Sequence, residues 1–301
     1  MKMVGVWLLA VLPTLLWAGP AVKESRPVVT QEMVDYINSQ GKWVASKAWA
    51  GDMTVGEARS LVSSGKGSEE SFPEERFGAL LEHLTVPASF DARVGWPDCV
   101  GHTIRNQGSC GSGWAIAATD VVADRHCIYN GLGDRVSLSP QYIISCNTYG
   151  NSCSVATDTY TWKFMYASGN VLDSCYPYTS GNTGAISACT KNCQVYDYVY
   201  ATYAYTTPAA IQAAILDKGP VHSNMYVYED FYSYSGGVYY YQYGDYLGSQ
   251  GVKIVGWGSQ NGVSYWIAAN SWGTDWGQFG FFNIEFGQCN IDSAAIAANI
   301  I

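Results

Sequence analysis

A chain of 301 residues with 48% hydrophobic and 14% charged side chains can bury one large core or two modest ones, which excludes intrinsic disorder. The formal charge of −9 comes without any Lys/Arg cluster, which excludes a nucleic-acid partner, since phosphate binding depends on grouped cations. Nine cysteines and four histidines bound the chemistry further.

In chain order, Lys2 precedes an apolar run over residues 4–17 and then Ala18 and Gly19, the pattern of a signal peptide cleaved near Ala18. The run is short for a membrane span, and no later stretch is apolar enough to cross a bilayer. The chain is therefore expected in the secretory pathway, and its cysteines in a disulfide framework with one thiol left over. No cysteine pair has the CxxC spacing, and His83, His102, His126 and His222 are scattered, so neither a metal nor a cofactor is predicted. No Asn-x-Ser/Thr sequon occurs.

Residues 30–41 predict a short amphipathic helix, capped by Thr30 and with Met33, Val34, Tyr36 and Ile37 at helical spacing. A second polar–apolar stretch covers residues 53–62. Residues 64–76, rich in Gly, Ser and Glu, predict an exposed linker suited to proteolytic processing. Residues 112–128 give the clearest helix, with Ser112 as N-cap and a stripe of Trp114, Ala117, Ala118, Val121 and Ile128. Beyond Gln194 the pattern alternates and is rich in Tyr, predicting strands over residues 195–205, 221–228 and 237–243. The tyrosines read as half-buried sheet residues rather than as a carbohydrate-binding surface.

Four segments carry more specific information. Val86-Pro-Ala-Ser-Phe-Asp-Ala-Arg93 is similar to the start of a mature papain-like domain, and Asn106-Gln-Gly-Ser-Cys-Gly-Ser-Gly-Trp114 resembles the segment bearing that family's nucleophile. Gly248-Ser-Gln-Gly-Val-Lys-Ile-Val-Gly-Trp-Gly258 resembles its histidine segment, and Tyr265-Trp-Ile-Ala-Ala-Asn-Ser-Trp-Gly273 its asparagine segment. The order is the family's, with Asp275-Trp-Gly277 and Gly280-Phe-Phe282 at the family's distances. The chain thus resembles a papain-family cysteine protease. A short propeptide, the stretch Asp124-Arg125-His126-Cys127-Ile128 and the spacing of Cys189 and Cys193 point to the cathepsin B branch.

The resemblance implies an α+β, two-subdomain fold: a helical half around a central helix and a β-rich, barrel-like half, preceded by a propeptide. The implied divisions are a signal peptide 1–18, a propeptide 19–85 and a peptidase-like domain 86–301. It further implies the pairs Cys99–Cys127, Cys110–Cys153, Cys146–Cys189 and Cys175–Cys193, with Cys289 free. The branch's occluding loop, with its histidine pair, has no counterpart between Cys175 and Cys193, so an active relative with this segment would be an endopeptidase.

The same resemblance places glycine and glutamine where the family has its chemistry. The family's nucleophile is a cysteine whose pKa is lowered at a helix N-terminus beside an imidazolium. Gly113 stands at that position and has nothing to ionise. Gln250 stands at the histidine's position, and a carboxamide hydrogen-bonds without titrating. Gln107 is retained at the oxyanion position and Asn270 at the orienting position, with Trp272 as the shielding aromatic. A Gln250–Asn270 amide–amide hydrogen bond is expected. A glycine pair that admits substrate backbone is replaced by Val155 and Ala156. Asn224, Trp276 and Ala294 complete the implied substrate cleft.

In a comparable triad, losing nucleophile or base costs on the order of 10⁶ in rate, roughly 8 kcal/mol. Remaining oxyanion donors would leave about 10³ to 10⁴ over water. Cys110 is expected in a disulfide, Ser112 lacks a base, and His222 is expected as a solvent-facing or hydrogen-bonded strand residue. The sequence therefore predicts a catalytically inactive homologue, a pseudoprotease acting as a monomer that binds a peptide or protein ligand such as a protease inhibitor, a propeptide or another partner. An active cysteine endopeptidase is the alternative, and a recognition module using the tyrosine surface a third. The compartment is lysosome- or vacuole-like, or extracellular.

Overall fold

The computed structural model describes residues 24–63, 72–74 and 85–300, except 102, 132, 134, 150, 151, 156, 191 and 198. The leader, residues 64–71 and 75–76 of the expected linker, His83, His102 and Ala156 lie outside the described residues.

Local capping chemistry sets the first elements. Helix Gln31–Gln40 starts where Thr30 Oγ1 accepts from Met33 N at 3.2 Å and stops at Gly41, whose φ of 66° a glycine adopts freely. Helix Val55–Ser60 opens with a capping box in which Thr54 and Glu57 bond each other's backbone N–H. Between the two helices runs a short strand, β1 (Trp43–Ala45).

The central helix Gly113–Asn130 is buried on every side over residues 113–125, where the sequence predicted a single stripe, and only its last turn reaches solvent, at Tyr129 and Asn130. Helices Pro140–Cys146 and Asp158–Ser168 pack on it from one side and the sheet from the other, so a helix with two neighbours has no solvent face to keep polar. Its two buried carboxylates are paired: Lys253 Nζ lies 2.6 Å from Asp124, and Arg135 bonds both Asp124 and Asp120, while the buried Arg125 guanidinium donates to the carbonyls of Pro220 and Gly219. Burial opposes ionisation of Asp120, yet Arg135, Arg105 and Lys253 hold its carboxyl below the usual range.

Ten further strands follow: β2 (Phe90–Asp91), β3 (Asn170–Val171), β4 (Val195–Asp197), β5 (Val199–Tyr205), β6 (Val221–Tyr228), β7 (Tyr234–Tyr239), β8 (Tyr246–Gln260), β9 (Val263–Ala269), β10 (Phe281–Glu285) and β11 (Ala295–Ile300). Their main sheet runs β1-β7-β10-β9-β8-β6-β11-β5, with β2 on β8, while β3 pairs β4 separately. This corrects the barrel-like expectation: the path has two ends, at β1 and β5, and does not close. The strand expected over residues 237–243 is β7, which ends at Tyr239. The chain then turns, because Asp230 accepts from the backbone N–H groups of Gln242 and Tyr243.

Four disulfides join Cys99 to Cys127, Cys110 to Cys153, Cys146 to Cys189 and Cys175 to Cys193, leaving Cys289 free. Each typically contributes about 2 to 4 kcal/mol by restricting the unfolded chain. Among the described residues, no helix is long and apolar enough to cross a membrane.

Candidate functional site: the cleft at the start of the central helix

Strand β8 crosses the N-terminus of the central helix closely. A β-carbon at Gly251 would meet Trp114 Cα at 2.5 Å, so glycine is what allows the contact. The preceding residue, Gln250, consequently lies over Gly113, the first residue of the helix. A β-carbon built on Gly113 would stand 2.5 Å from Gln250 Nε2 and 2.9 Å from its Oε1.

Gln250 is held there by a closed polar network. Its Nε2 donates to Gln107 Oε1 (2.8 Å), Asn270 Oδ1 (2.9 Å) and Ser271 Oγ (3.1 Å). Ser271 Oγ in turn donates to Gln107 Oε1 at 2.7 Å, and Ser271 N donates to Asn270 Oδ1 at 2.8 Å. Asn270 Nδ2 has no partner. All four side chains are buried, and all are carboxamides or hydroxyls, which orient hydrogen bonds without exchanging protons near neutral pH.

Ser112 occupies the N-cap position of the helix but does not cap it. Its hydroxyl instead pairs with Tyr178 Oη at 2.6 Å, and Tyr178 Oη donates to the Gln107 carbonyl at 2.7 Å. Burial pushes the Tyr178 phenol up, against a smaller lowering by Ser112 and Arg105.

The cleft is threaded by the chain's own residues 61–63. Gln107 Nε2 donates to Leu61 O at 2.5 Å as well as to Cys110 O, and Ser63 and Ser249 exchange two backbone hydrogen bonds of 2.8 Å. Upstream, Tyr232 Oη donates to Ala58 O at 2.7 Å, and Trp49 stacks on Trp272 with ring centroids 5.2 Å apart. Trp272 is thereby enclosed between Trp49 and Tyr232, and Trp276 is fully buried behind it against Phe231 and Phe282. Trp276 belongs to the aromatic core rather than to the cleft surface.

Of the other expected cleft residues, Val155 is exposed and lies in a turn where Ser152 N donates to its carbonyl. Asn224 and Ala294 line a cavity of about 690 Å³ beside Ser249. Asn224 Oδ1 is buried and unpartnered. His222 is not solvent-facing: it is fully buried on β6, and Trp162 Nε1 donates to its Nδ1 at 3.1 Å. Its Nε2 faces Asp158 Oδ1 across 3.8 Å, too far for a hydrogen bond.

Cys289 packs near Tyr239 and Asp230, and burial pushes its thiol up to about 12. A thiol so placed is not a nucleophile at neutral pH. Among the described residues, no group of His, Cys, Asp or Glu is arranged to hold a metal ion.

Sequence reasoning missed Ser271, Tyr178 and residues 61–63. Ser271 lay inside a segment already singled out, adjacent to Asn270, and its polarity beside a buried amide was the available signal. Tyr178 and residues 61–63 offered none, since their contacts with Gln107 span 71 and 46 positions.

A buried helix whose N-terminus opens on a cleft against a mostly antiparallel sheet, threaded by an N-terminal segment, defines the class of papain-like proforms. Residues 86–299 match the family model described as papain family cysteine protease, and the chain belongs to that family. Its similarity is to cathepsin B-like members. It is 36% identical over 296 residues, 89% of both chains, to the gut-specific cysteine proteinase of Caenorhabditis elegans. It is 35% identical to cathepsin B-like CP3 of Giardia intestinalis, over 90% of this chain and 94% of that one. The structure of procathepsin B S9 from Trypanosoma congolense superposes with a TM-score of 0.85 at 30% identity, covering 91% of this chain and 99% of that one.

Proposed function

We propose that this chain is a catalytically inactive, cathepsin B-like pseudoprotease that acts by binding a peptide or protein segment in its cleft. The observation that carries the reading is the packing of the Gln250 carboxamide onto Gly113. On this reading Gly113 stands for the family's nucleophile and Gln250 for its histidine, while Gln107 and Asn270 keep the oxyanion and orienting positions. No thiolate and no general base then face the point where a scissile carbonyl would lie. Residues 1–18 act as signal peptide and 19–85 as propeptide, and the 86–301 domain works in a lysosome-like or extracellular compartment. Two observations support ligand binding: residues 61–63 already lie in the cleft as a built-in peptide, and Ser249 offers backbone pairing to an extended strand.

An active cysteine endopeptidase is the second reading, favoured by the relatives, which are named as proteinases. It requires a reactive thiol, and Cys289, with its raised pKa, is a poor source of one. The secreted chain, before and after limited proteolysis of residues 64–85, is treated with a thiol-directed epoxide and a fluorogenic dipeptide substrate. Neither labelling nor turnover is expected. Turnover abolished by mutating a single thiol overturns the proposal.

A further inference from the structure

The far end of the central helix carries a second concavity. Tyr129 stands about 24 Å along the helix axis from Gly113, at the usual rise of roughly 1.5 Å per residue. There a cavity of about 470 Å³ opens between the last turn of that helix, the end of helix Pro208–Lys218 and the strands β5 and β11. The volume suits one small ligand. Tyr129 and Tyr200 flank it and are 64% and 56% exposed, with Ile128 beside them. Two large rings left in water at one rim offer flat apolar faces that a ligand ring would cover.

The polar part of the lining carries both signs of charge. Arg125 is a fixed component of the wall: its Nε donates to Pro220 O at 2.7 Å, and its terminal nitrogens to Ala298 O and Gly219 O at 3.2 and 3.0 Å. Lys218 and Asp217 line the same cavity and form an ion pair of 3.2 Å, each side chain being about one third exposed. A pair so exposed is worth little, so either partner can turn to a ligand at small cost. The remaining polar residue is Asn299, whose Oδ1 is buried and has no donor. A buried acceptor left in that state is costly, and a ligand N–H would remove the cost.

We infer that this cavity binds a free aromatic α-amino acid as its zwitterion, at a site separate from the cleft. The ligand carboxylate pairs with Lys218, on the side where Arg125 adds positive charge. The ligand ammonium donates to Asn299 Oδ1 and to the Asp217 carboxylate, and the ring packs on Tyr129, Tyr200 and Ile128. An anion without the ammonium leaves Asn299 Oδ1 without a donor and is repelled by Asp217. A cation without the carboxylate faces Lys218 and Arg125 uncompensated. Binding is noncovalent, and selectivity comes from carrying both charges on one small aromatic molecule.

The full-length secreted chain is titrated by saturation-transfer NMR with L-tryptophan, with L-tryptophan amide, which lacks the carboxylate, and with N-acetyl-L-tryptophan, which lacks the ammonium. Tryptophan is expected to bind about 10-fold more tightly than either, the scale that a charge-assisted hydrogen bond contributes. Lys218→Met keeps the stem and removes the charge, and is expected to erase the preference over the amide alone. Asn299→Leu keeps the side-chain volume and removes the acceptor, and is expected to reduce the preference over the N-acetyl compound. Equal affinity for the three probes, or no binding of any, overturns the inference on the wild type with no variant involved. A preference for tryptophan that is unchanged in both variants puts the ligand elsewhere and overturns the site.

Discussion

The carboxamide of Gln250 fills the volume that any side chain on Gly113 would need, coming within 2.5 Å of where its β-carbon would stand. Gln250 cannot swing aside without giving up hydrogen bonds to Gln107, Asn270 and Ser271. The two positions are therefore coupled, and substitutions at them will not be additive.

Gly113→Cys alone is expected to lower stability by about 1 to 3 kcal/mol, the usual cost of forcing atoms into a packed site. Combined with Gln250→His, the loss should shrink, and after the N-terminal segment is cut the new thiol should react with an epoxide inhibitor. Urea unfolding and intact-mass spectrometry measure the two effects. Equal destabilisation in the single and double variants would dismiss the coupling.

Trp43 anchors the N-terminal segment: its ring packs on Tyr234 and Tyr239, with centroids 6.0 and 5.2 Å away, and its Nε1 donates to Tyr240 O. Trp43→Ala should cost about 3 to 5 kcal/mol. Because that energy holds the segment to the body, limited proteolysis should remove the segment much faster from the variant. Unchanged cleavage kinetics would show that the anchor lies elsewhere.

Burial lowers the pKa of His222, and the opposing attraction of Asp158 is the smaller influence. The unfolded chain, with a histidine near 6.5, thus takes up the proton first as pH falls. The contribution to stability is complete above about pH 6.5 and is lost below it. His222→Gln retains an acceptor for Trp162 and does not titrate, so its melting temperature should vary less between pH 7 and 5 than that of the wild type. Parallel melting curves for the two proteins would refute the assignment.

Cys289 should resist thiol reagents in the native state, because burial and the nearby Asp230 carboxylate both disfavour its thiolate. Ellman's reagent is expected to titrate about one thiol only after denaturation in non-reducing conditions. Rapid native labelling at Cys289 would contradict this.

What could be read from sequence alone was set by range. Helix Gln31–Gln40 depends on Thr30, Gly41 and the spacing between them, all local and all legible. The ends of the sheet depend on β1 reaching β7 across nearly two hundred positions, and no short pattern encodes that pairing. Ser112 shows the same limit at the site: its sequence context is that of a cap, but Tyr178, distant in the chain, claims its hydroxyl. The amides of Gln107, Gln250 and Asn270 were identifiable by type, whereas their convergence with Ser271 and Leu61 required the fold.

Strand β1 belongs to the N-terminal segment, yet it completes one border of the main sheet by pairing Trp43 with Gly237 and Val44 with Gly236. Excising that segment leaves the backbone amides and carbonyls of β7 open to water, and lets any extended chain of suitable length dock in their place. Maturation would thus do more than unblock a groove: it would turn a self-satisfied border into an adhesive one, favouring assembly at high protein concentration.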